Sequence, residues 1–551
     1  MEKTKDTSCI KEYNLHSQVS LSRGWDKNKW LFLPVFLVII TFLSSLNFDF
    51  VSDDRLFFVK DSKLLTEPVK EYFENGYDQF SIVEVPNGQL YRPLVLLNFR
   101  LQFKFFGTNP MWFHFTNLLT HTIITVFIFF LFTFLIPTAT GKSIALATSI
   151  FAIHPVQVET VCWIMGINQM MSTFWLIIGI LLVFIARDRK RSYLNIIAVI
   201  SFIAALLSKE DAYTFPGLLA LLLLIRKESF SIKRIAILTV LSVITVIGVL
   251  LLRNNAVDTP KLIYSLTGVE RAVNYLLGYI KMSLFPYPQR FYHTEPITGM
   301  VASWEIIIGL LMIACFCLLI WKYKTGRQFF ILSAFSYLVI LGPALAVSFH
   351  STGPTFASRM VYFAIFPFAL IVLWLLENSR KKIRQILEIT FSLVIIIFMI
   401  TSIVNGFKWK DQESFLKLAI SSTPDYVQLY SDMGDYLIEQ GETNKAIDWY
   451  IANVNSESIV EIKILAHERL GEIYAKNQYF EKARSEIIAA LELDPKNSST
   501  VNALGNITWL TGDLILAKAY YIEAIRLNPE NEIAKRNLEA ISNLIPQTIN
   551  R

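Results

Sequence analysis

The sequence predicts an all-α, polytopic membrane protein whose spanning helices are followed by a carboxy-terminal α-solenoid. Of its 551 residues, 53% are hydrophobic, and the mean hydropathy is +0.45. A soluble globular protein of this length does not need so much apolar surface. The apolar residues gather into long runs, and a helical repeat follows the last of them. The formal net charge of +6 is small for this length, so the composition does not indicate a nucleic-acid partner.

Eleven apolar runs are long enough, as helices, to cross the roughly 30 Å of hydrocarbon in a bilayer. They lie at 30–46, 113–135, 144–164, 170–186, 193–207, 212–225, 235–252, 303–321, 329–347, 361–376 and 386–404. The helical spacing of apolar residues within the second long loop predicts a further helix, which ends near Pro286. We expect an amino-terminal tail at 1–29, a transmembrane domain at 30–405 with outer loops at 47–111 and 253–302, a linker at 406–424, and repeats at 425–545.

The basic residues predict the orientation of these spans. Every second connection is basic, at Lys142, 187–191, 226–234, 322–327 and 380–384, whereas the other connections are neutral, mixed or acidic. Basic connections stay in the cytosol, so we expect a cytosolic amino terminus. An odd number of spans then places the repeats outside the cytoplasm. The short cytosolic end and the absence of sorting signals favour a bacterial inner membrane over the endoplasmic reticulum.

The carboxy-terminal region contains a repeat of small residues. Its equivalent glycines are spaced by 37 and 34 residues, and an alanine stands twelve residues after each; the pairs are Gly434 and Ala446, Gly471 and Ala483, and Gly505 and Ala517. Small residues at helix crossings and a closing proline are typical of the tetratricopeptide repeat. The sequence predicts about three such repeats and a capping helix.

Unusual polar residues gather on the predicted outer face of the transmembrane domain. Asp53 and Asp54 follow the first span, where placing a charged side chain so close to hydrocarbon is energetically unfavourable and therefore suggests a functional role. The other candidates are Arg92, His154, Glu159, Lys209, Glu210, Tyr292, His293, His350 and Arg359. Cations and carboxylates at one membrane face suit the binding of a lipid-anchored phosphate, which the cations hold while a carboxylate accepts a proton.

Simpler roles remain open for several of these residues. Arg92 could bind lipid headgroups, and Lys209 and Glu210 could form a structural ion pair. His154 precedes Pro155 and could mark a helix break. No segment carries a tight spacing of metal-ligating residues, so the sequence does not predict a metal site.

Four sequence motifs resemble those of the tetratricopeptide-containing transmembrane protein O-mannosyltransferase family and its bacterial relatives. They are SDDRLFFVKD, YRPLVLLNFRLQFKFFGTNPMWFHFTNLLTH, FAIHPVQVETVCWIMG and SKEDAYTFP. The resemblance implies the GT-C glycosyltransferase architecture, a polyprenyl-phosphate-linked sugar donor, and a catalytic carboxylate from Asp53 and Asp54. The chain departs from the family pattern in two places: Asn168 and Gln169 replace an arginine and an acid, and Met360 replaces a tyrosine after Arg359.

These observations lead us to expect a membrane glycosyltransferase that moves a mannose-like hexose to Ser or Thr hydroxyls of exported proteins, with inversion. Asp53 would remove the proton of the hydroxyl, cations such as Arg92, Lys209 or Arg359 would stabilise the departing lipid phosphate, and the repeats would bind the polypeptide acceptor. One alternative is a GT-C transferase with a lipid or glycan acceptor. A membrane-anchored scaffold without catalysis and a transporter are further alternatives, although scaffolding needs one span and transport favours charges at mid-membrane.

Overall fold

The computed structural model describes residues 27–58, 63–80, 90–226, 230–257, 266–286, 324–347, 356–424, 426–456 and 459–544, with the single residues 318, 321 and 349. Throughout these residues the regular structure is helical, which confirms the all-α prediction. The chain divides into two compact units, Met1–Phe415 and Leu416–Arg551. The unit boundary falls within the region predicted as a linker, which contains the helix Gln412–Ser422.

The first unit is a bundle of apolar helices joined by turns and short helical segments. Its helices are α1 (Phe32–Phe42), α2 (Pro93–Phe106), α3 (Pro110–Leu135), α4 (Gly141–Ala152), α5 (Gln157–Cys162), α6 (Ile167–Asp188), α7 (Leu194–Leu206), α8 (Phe215–Ile225), α9 (Ile232–Ala256), α10 (Leu266–Leu284), α11 (Arg327–Val347), α12 (Ile365–Asn378) and α13 (Lys381–Gly406). Helix α10 is the one that the spacing of apolar residues predicts before Pro286.

Among the residues that the structure describes, six helical segments are long and apolar enough to cross a membrane. They are Lys29–Asn47, Pro110–Leu135, Ile164–Asp188, Ile232–Ala256, Arg327–Ala346 and Lys381–Trp409. Helices α4, α7 and α12 are apolar but shorter. The predicted span at 303–321 lies outside the described residues except at 318 and 321. Several candidate spans are therefore present, and the count of eleven stays a prediction.

The surface of α13 indicates that the helical bundle is surrounded by lipid and not by water. This helix exposes a series of large aliphatic side chains along its length: Ile386, Ile389, Leu393, Ile396, Ile397, Ile400 and Val404. A continuous apolar surface of this kind is rare on soluble proteins, whereas lipid-facing helices require it. Helix α4, by contrast, is buried along nearly its whole length, and many of its buried residues are small, such as Ala145, Ala147 and Ser149. The structure thus has lipid-facing and central helices.

The third predicted span is interrupted. Helix α4 ends at Ala152, and the short helix α5 begins only at Gln157. Between them stands Pro155, which has no backbone N–H and disfavours the helical conformation of the preceding residue, His154. The continuous helix expected over 144–164 is therefore replaced by two helices, and the turn between them carries His154.

The second unit consists of helical hairpins. Its helices are Val427–Glu439, Thr443–Val454, Val460–Lys476, Phe480–Leu493, Ser498–Leu510, Leu514–Leu527 and Glu532–Ser542. The repeated small residues lie where two helices of a hairpin meet. A Cβ atom on Gly434 would lie 1.9 Å from the Tyr450 hydroxyl, and one on Gly505 would lie 2.6 Å from the Tyr521 ring. Glycine is needed at both crossings because any side chain would separate the paired helices.

Candidate active site

Asp53 and Asp54 follow the first span and point to different environments. Ser52 before them has a backbone φ of 54°, a conformation that is uncommon for residues other than glycine. Its N–H donates to Gln412 Oε1 at 2.8 Å. After this bend Asp54 is fully buried, whereas Asp53 is only half-buried. The bend therefore leaves Asp53 accessible while it fixes Asp54 inside the protein.

The Asp54 carboxyl group connects the first outer loop to the turn before α6. Its Oδ1 accepts a hydrogen bond from the Met165 N–H at 3.1 Å, and its Oδ2 accepts one from the Val51 N–H at 3.3 Å. Burial raises the pKa of Asp54 well above its ordinary value, against the lowering effect of the Val51 hydrogen bond. With both oxygens bonded inside the protein, Asp54 positions its neighbour and is poorly placed to meet a substrate.

The Asp53 carboxyl group has the properties of a proton acceptor. Burial raises its pKa, and the nearby positive charge of Arg359 opposes that rise. Its Oδ1 accepts a hydrogen bond from Ser52 Oγ at 3.4 Å. A carboxylate with a raised pKa is a stronger base. Of the two predicted catalytic residues, the geometry therefore favours Asp53 for proton transfer.

Arg359 is held in place by Glu159. The Arg359 guanidinium donates to Glu159 Oε1 at 2.6 Å, and the Arg359 backbone N–H donates to Oε2 at 3.0 Å. The Glu159 side chain is 1% exposed and the Arg359 side chain 18%. The guanidinium also lies over the Trp163 ring at 5.2 Å. Both oxygens of one buried carboxylate thus orient Arg359 from the side chain and from the backbone.

The turn that carries Trp163 is itself fixed by close contacts. Asn117 Nδ2 on α3 donates to the Trp163 carbonyl at 2.8 Å and also contacts the carbonyls of Val161 and Ile164. A Cβ atom on Gly166 would lie 2.0 Å from the Thr160 carbonyl oxygen. Only glycine allows the chain to fold back this tightly. The turn after α5 therefore presents the Met165 N–H to Asp54 and the Trp163 ring to Arg359.

Arg92 and Glu210 form a two-bond ion pair. Arg92 Nε donates to Glu210 Oε2 at 3.0 Å, and Nη2 donates to Oε1 at 2.8 Å. Burial alone would raise the pKa of Glu210, but Arg92 and Lys209 lower it to about 2. The Arg92 guanidinium also lies 5.5 Å from the centre of the Tyr77 ring. Arg92 is thus bonded within the protein and does more than face lipid headgroups.

Lys209 pairs with Asp211, whereas the alternative left open from the sequence was an ion pair between Lys209 and Glu210. Lys209 Nζ lies 2.9 Å from Asp211 Oδ2, and Glu210 bonds to Arg92 instead. Lys209 has an extended backbone, with φ −162° and ψ 147°. The 3-10 helix Glu210–Thr214 begins directly after this extended residue, and Asp211 lies within its first turn. Burial lowers the pKa of Lys209, and Asp211 opposes this change.

One residue from each of the two departures from the family that the sequence resembles lies beside the Lys209 amine. Its Nζ donates to Gln169 Oε1 at 2.5 Å and lies 4.0 Å from Met360 Sδ. Gln169 belongs to the start of α6, and Met360 directly follows Arg359. The two departures therefore alter the surroundings of one buried amine.

The three ion pairs and the two aspartates form one charge cluster. Arg359 interacts electrostatically with Asp53, and Lys209 interacts with Glu159, Arg92 and Glu210. The cluster contains three cations and five carboxyl groups: Arg92, Lys209, Arg359, Asp53, Asp54, Glu159, Glu210 and Asp211. Chain segments that are distant in sequence are thus brought together beside an accessible base.

His154 is a predicted site residue with a different role. His154 is buried between α4 and α5, where its Nε2 donates to the Ser283 carbonyl at 3.1 Å and its Nδ1 accepts from the Val156 N–H at 3.3 Å. Both nitrogens are therefore bonded inside the fold, which corresponds to the helix-break alternative. Tyr292, His293 and His350 lie outside the described residues. Among the residues that are described, no group of three or more His, Cys, Asp or Glu side chains is placed to hold a metal ion.

Some members of this region were not selected from the sequence. Asp211 stands beside two selected residues, and its pairing with Lys209 depends on the local backbone conformation. Trp163 is a neutral residue in apolar surroundings, so neither charge nor periodicity distinguishes it, and Gln169 is distinguished in the sequence only as a departure from the family that the chain resembles. A buried aromatic ring near an arginine becomes visible only when the distance between them is known.

Comparison with known proteins gives the following similarities. A tetratricopeptide-repeat family model matches residues 465–497 and 499–531. Over 428 residues the chain is 23% identical to a protein O-mannosyl-transferase of Caenorhabditis elegans, covering 76% of this chain and 61% of that protein. It is 22% identical over 497 residues to the protein O-mannosyl-transferase TMTC4 of Mus musculus, covering 76% and 66%. Its curated relatives are TMTC protein O-mannosyl-transferases. The resemblance inferred from the motifs and the prediction of tetratricopeptide repeats are confirmed.

The extent of these similarities limits what they transfer. The chain spans 61% of the length of the nematode relative and 55% of human TMTC3, to which it is 20% identical over 85% of this chain. Among solved structures, the crystal structure of the APC/C hetero-tetramer Cut9–Hcn1 covers 72% of this chain and 84% of that chain, with 12% identity and a TM-score of 0.22. A TM-score this low supports no statement about the fold of the whole chain.

Proposed function

We propose that this protein is an integral membrane glycosyltransferase that moves a mannose-like hexose from a polyprenyl-phosphate donor to Ser or Thr hydroxyls of exported proteins. The observation that carries the proposal is the position of Asp53. It is a half-buried carboxyl group with a raised pKa, near the positive charge of Arg359 and within the charge cluster at the ends of apolar helices. The similarity to protein O-mannosyl-transferases supports the choice of sugar and of acceptor.

In the proposed reaction Asp53 removes the proton of the acceptor hydroxyl as its oxygen attacks the anomeric carbon. The bond between that carbon and the phosphate oxygen breaks, and its electron pair leaves with the polyprenyl phosphate. The sugar inverts because attack and departure occur on opposite faces. Arg359, Arg92 and Lys209 stabilise the negative charge that grows on the phosphate, and their carboxylate partners hold them in fixed positions before the reaction.

The proposed architecture is GT-C-like, with eleven spans over 30–405 and the repeats outside the cytoplasm. The six long and three shorter apolar helices support this arrangement, together with the alternation of basic connections. The accessible side of Asp53 would then face the outer leaflet. The proposed membrane is the bacterial inner membrane.

The repeats are proposed to select the acceptor polypeptide. Stacked helical hairpins form a continuous surface that suits an extended peptide, and two of the hairpins match the tetratricopeptide model. The same charge cluster would also serve a transferase with a lipid or glycan acceptor. A scaffold without catalysis is disfavoured because a buried cluster of charges costs stability that anchoring does not require.

The test is turnover of a defined donor by the purified protein in detergent or nanodiscs. We expect it to release polyprenyl phosphate from polyprenyl-phosphate mannose and to label a Ser/Thr-rich peptide. Asp53→Asn should lower turnover by roughly 10²–10⁴-fold, the usual contribution of a general base. Asp49→Asn is the matched control because Asp49 is an exposed carboxylate in the same loop. Normal turnover by Asp53→Asn would refute the assigned base, and an inert wild-type protein would refute the proposed donor.

A further inference from the structure

Tyr279 is a buried tyrosine that the proposed reaction does not yet use. It lies on α10 and is 0% exposed. Its ring stacks on Phe356 with centroids 4.5 Å apart and an interplanar angle of 20°. Phe356 stands three residues before Arg359, and α10 packs against the turn Ser358–Val361 that carries Arg359. Tyr279 therefore borders the charge cluster from the side of the second outer loop.

The position of the Tyr279 ring is fixed by its neighbours. A Cβ atom on Gly278 would lie 2.6 Å from the Phe356 ring, so the two segments are in close contact. One turn further, the Ser283 carbonyl accepts a hydrogen bond from His154 Nε2 at 3.1 Å. Ser283 Oγ donates to the Tyr279 carbonyl at 2.8 Å. The end of α10 is thus tied to the break between α4 and α5, and the Tyr279 side chain has little freedom to turn away.

The Tyr279 hydroxyl has no hydrogen-bond partner among the described residues. Other buried tyrosines of this unit are bonded: the Tyr337 hydroxyl lies 3.0 Å from Ser283 Oγ, and the Tyr362 hydroxyl lies 2.7 Å from His121 Nδ1. Leaving a buried hydroxyl unbonded is unfavourable. An unbonded donor next to a candidate active site indicates a partner that arrives with the substrate.

The surrounding charges determine which kind of partner fits. Burial raises the pKa of Tyr279 well above its ordinary value, and the charges of Arg359, Asp211 and Glu159 also act on this hydroxyl. The phenol therefore keeps its proton and remains a hydrogen-bond donor. In the charge cluster carboxyl groups outnumber cations five to three, so an anionic substrate meets repulsion as well as attraction. A neutral O–H donor binds an anion without the need for an additional cation.

We propose that the Tyr279 hydroxyl donates a hydrogen bond to a non-bridging phosphate oxygen of the lipid-linked donor. This inference rests on the proposed function. Arg359 supplies the positive charge that attracts the phosphate, and the Tyr279 hydroxyl supplies a directional hydrogen bond that orients it. Both residues are held by the contact between α10 and the turn Ser358–Val361. The contact also gives the second outer loop a role in donor recognition.

The experiment measures the affinity of two probes, short-chain polyprenyl phosphate and the corresponding polyprenyl-phosphate mannose, for the full chain in nanodiscs. Tyr279→Phe removes the hydroxyl and keeps the ring that stacks on Phe356. Because hydrogen bonds to charged groups are the strong ones, we expect both probes to bind about 10- to 100-fold more weakly. Tyr337→Phe is the matched control, since it removes a buried tyrosine hydroxyl that is already bonded within the protein. It should bind both probes like the wild type.

Each outcome has a defined meaning. Wild-type affinity of Tyr279→Phe for both probes would overturn the inference while the proposed function stands. Weaker binding of the mannose-bearing probe alone would place the hydroxyl on the sugar and overturn the phosphate assignment. A wild-type protein that binds neither probe would overturn the proposed function and the inference together. Equal thermal stability of Tyr279→Phe and the wild type shows that a change in affinity reflects the lost bond.

Discussion

The pair formed by Glu159 and Arg359 allows a quantitative prediction. In Glu159→Gln one oxygen of the carboxylate becomes an NH₂ group, which cannot accept a hydrogen bond. Either the Arg359 guanidinium or the Arg359 backbone N–H then loses its acceptor. Removing one partner of a buried ion pair costs roughly 3–5 kcal/mol because the other charge stays buried without compensation. Since the Arg359 side chain is 18% exposed, we expect the lower part of this range, about 3 kcal/mol.

A double-mutant cycle separates this coupling from the other contacts of the two residues. The cycle compares wild type, Glu159→Gln, Arg359→Gln and the double variant by denaturant unfolding in mild detergent. We expect a coupling free energy of about 2–3 kcal/mol, because contacting residues in one ionic network are strongly non-additive. The Lys70–Glu74 pair is the control, since both side chains are largely exposed and exposed ion pairs couple only weakly. Additive effects of Glu159→Gln and Arg359→Gln would refute the view that Glu159 holds Arg359.

Three further predictions concern the base, an ion pair and the topology. Activity should fall as pH falls through a midpoint above the ordinary aspartate value, since Asp53 must be ionised to accept a proton; a pH–rate profile that Asp53→Asn does not alter would contradict this. The pKa of Glu210 is lowered to about 2 from its ordinary value of 4.5. Ionised Glu210 therefore stabilises the fold at pH values above 4.5, and this contribution is lost as the pH falls towards 2. Glu210→Gln should therefore be less stable than wild type at pH 7, and thermal unfolding should show the gap narrowing below pH 4.5; a constant gap would exclude this linkage. A cysteine in place of Asn497, a half-buried residue at the start of a repeat helix, should react with a membrane-impermeant thiol reagent in intact cells, and reaction only after lysis would reverse the topology.

The fold could be predicted from the sequence wherever one local pattern determines it. Long apolar runs and the repeated Gly–Ala spacing gave the helical bundle and the hairpins, because burial and close packing act on each segment separately. The third span could not be predicted in this way. Its apolar run is continuous from residue 144 to 164, but a proline near the middle separates two helices. A hydropathy pattern does not reveal this break, because it does not take account of the backbone N–H group that proline lacks.

The sequence indicated most of the residues that belong to the candidate site, but it did not indicate which of them form ion pairs with one another. Charged residues beside apolar runs are conspicuous, and the structure brings Asp53, Arg92, Glu159, Lys209, Glu210 and Arg359 into one charge cluster. Their partners depend on backbone conformation: the chain changes from extended at Lys209 to a 3-10 helix at Glu210–Thr214, where Lys209 pairs with Asp211 and Glu210 pairs with Arg92. His154 shows the opposite case. A histidine at a helix break has the composition of a site residue, and only its two backbone hydrogen bonds reveal the structural role.

The surroundings of Lys209 bear on which sugar the protein would accept. The resemblance to the O-mannosyltransferase family implies an acid near Gln169 and a tyrosine at Met360, and both positions contact the Lys209 amine. An acid at the first position would hold the amine by charge, whereas Gln169 offers a neutral oxygen. The Lys209 ammonium is thus balanced mainly by Asp211, and the thioether of Met360 occupies the place of a hydroxyl donor. The two departures therefore act together on one cation, and we expect them to alter donor recognition at Lys209 while they leave Asp53 and the proton transfer unchanged. Gln169→Glu should then shift the relative affinity for different polyprenyl-phosphate sugars more than it changes maximal turnover. An equal loss for every sugar would show that the amine serves the phosphate alone.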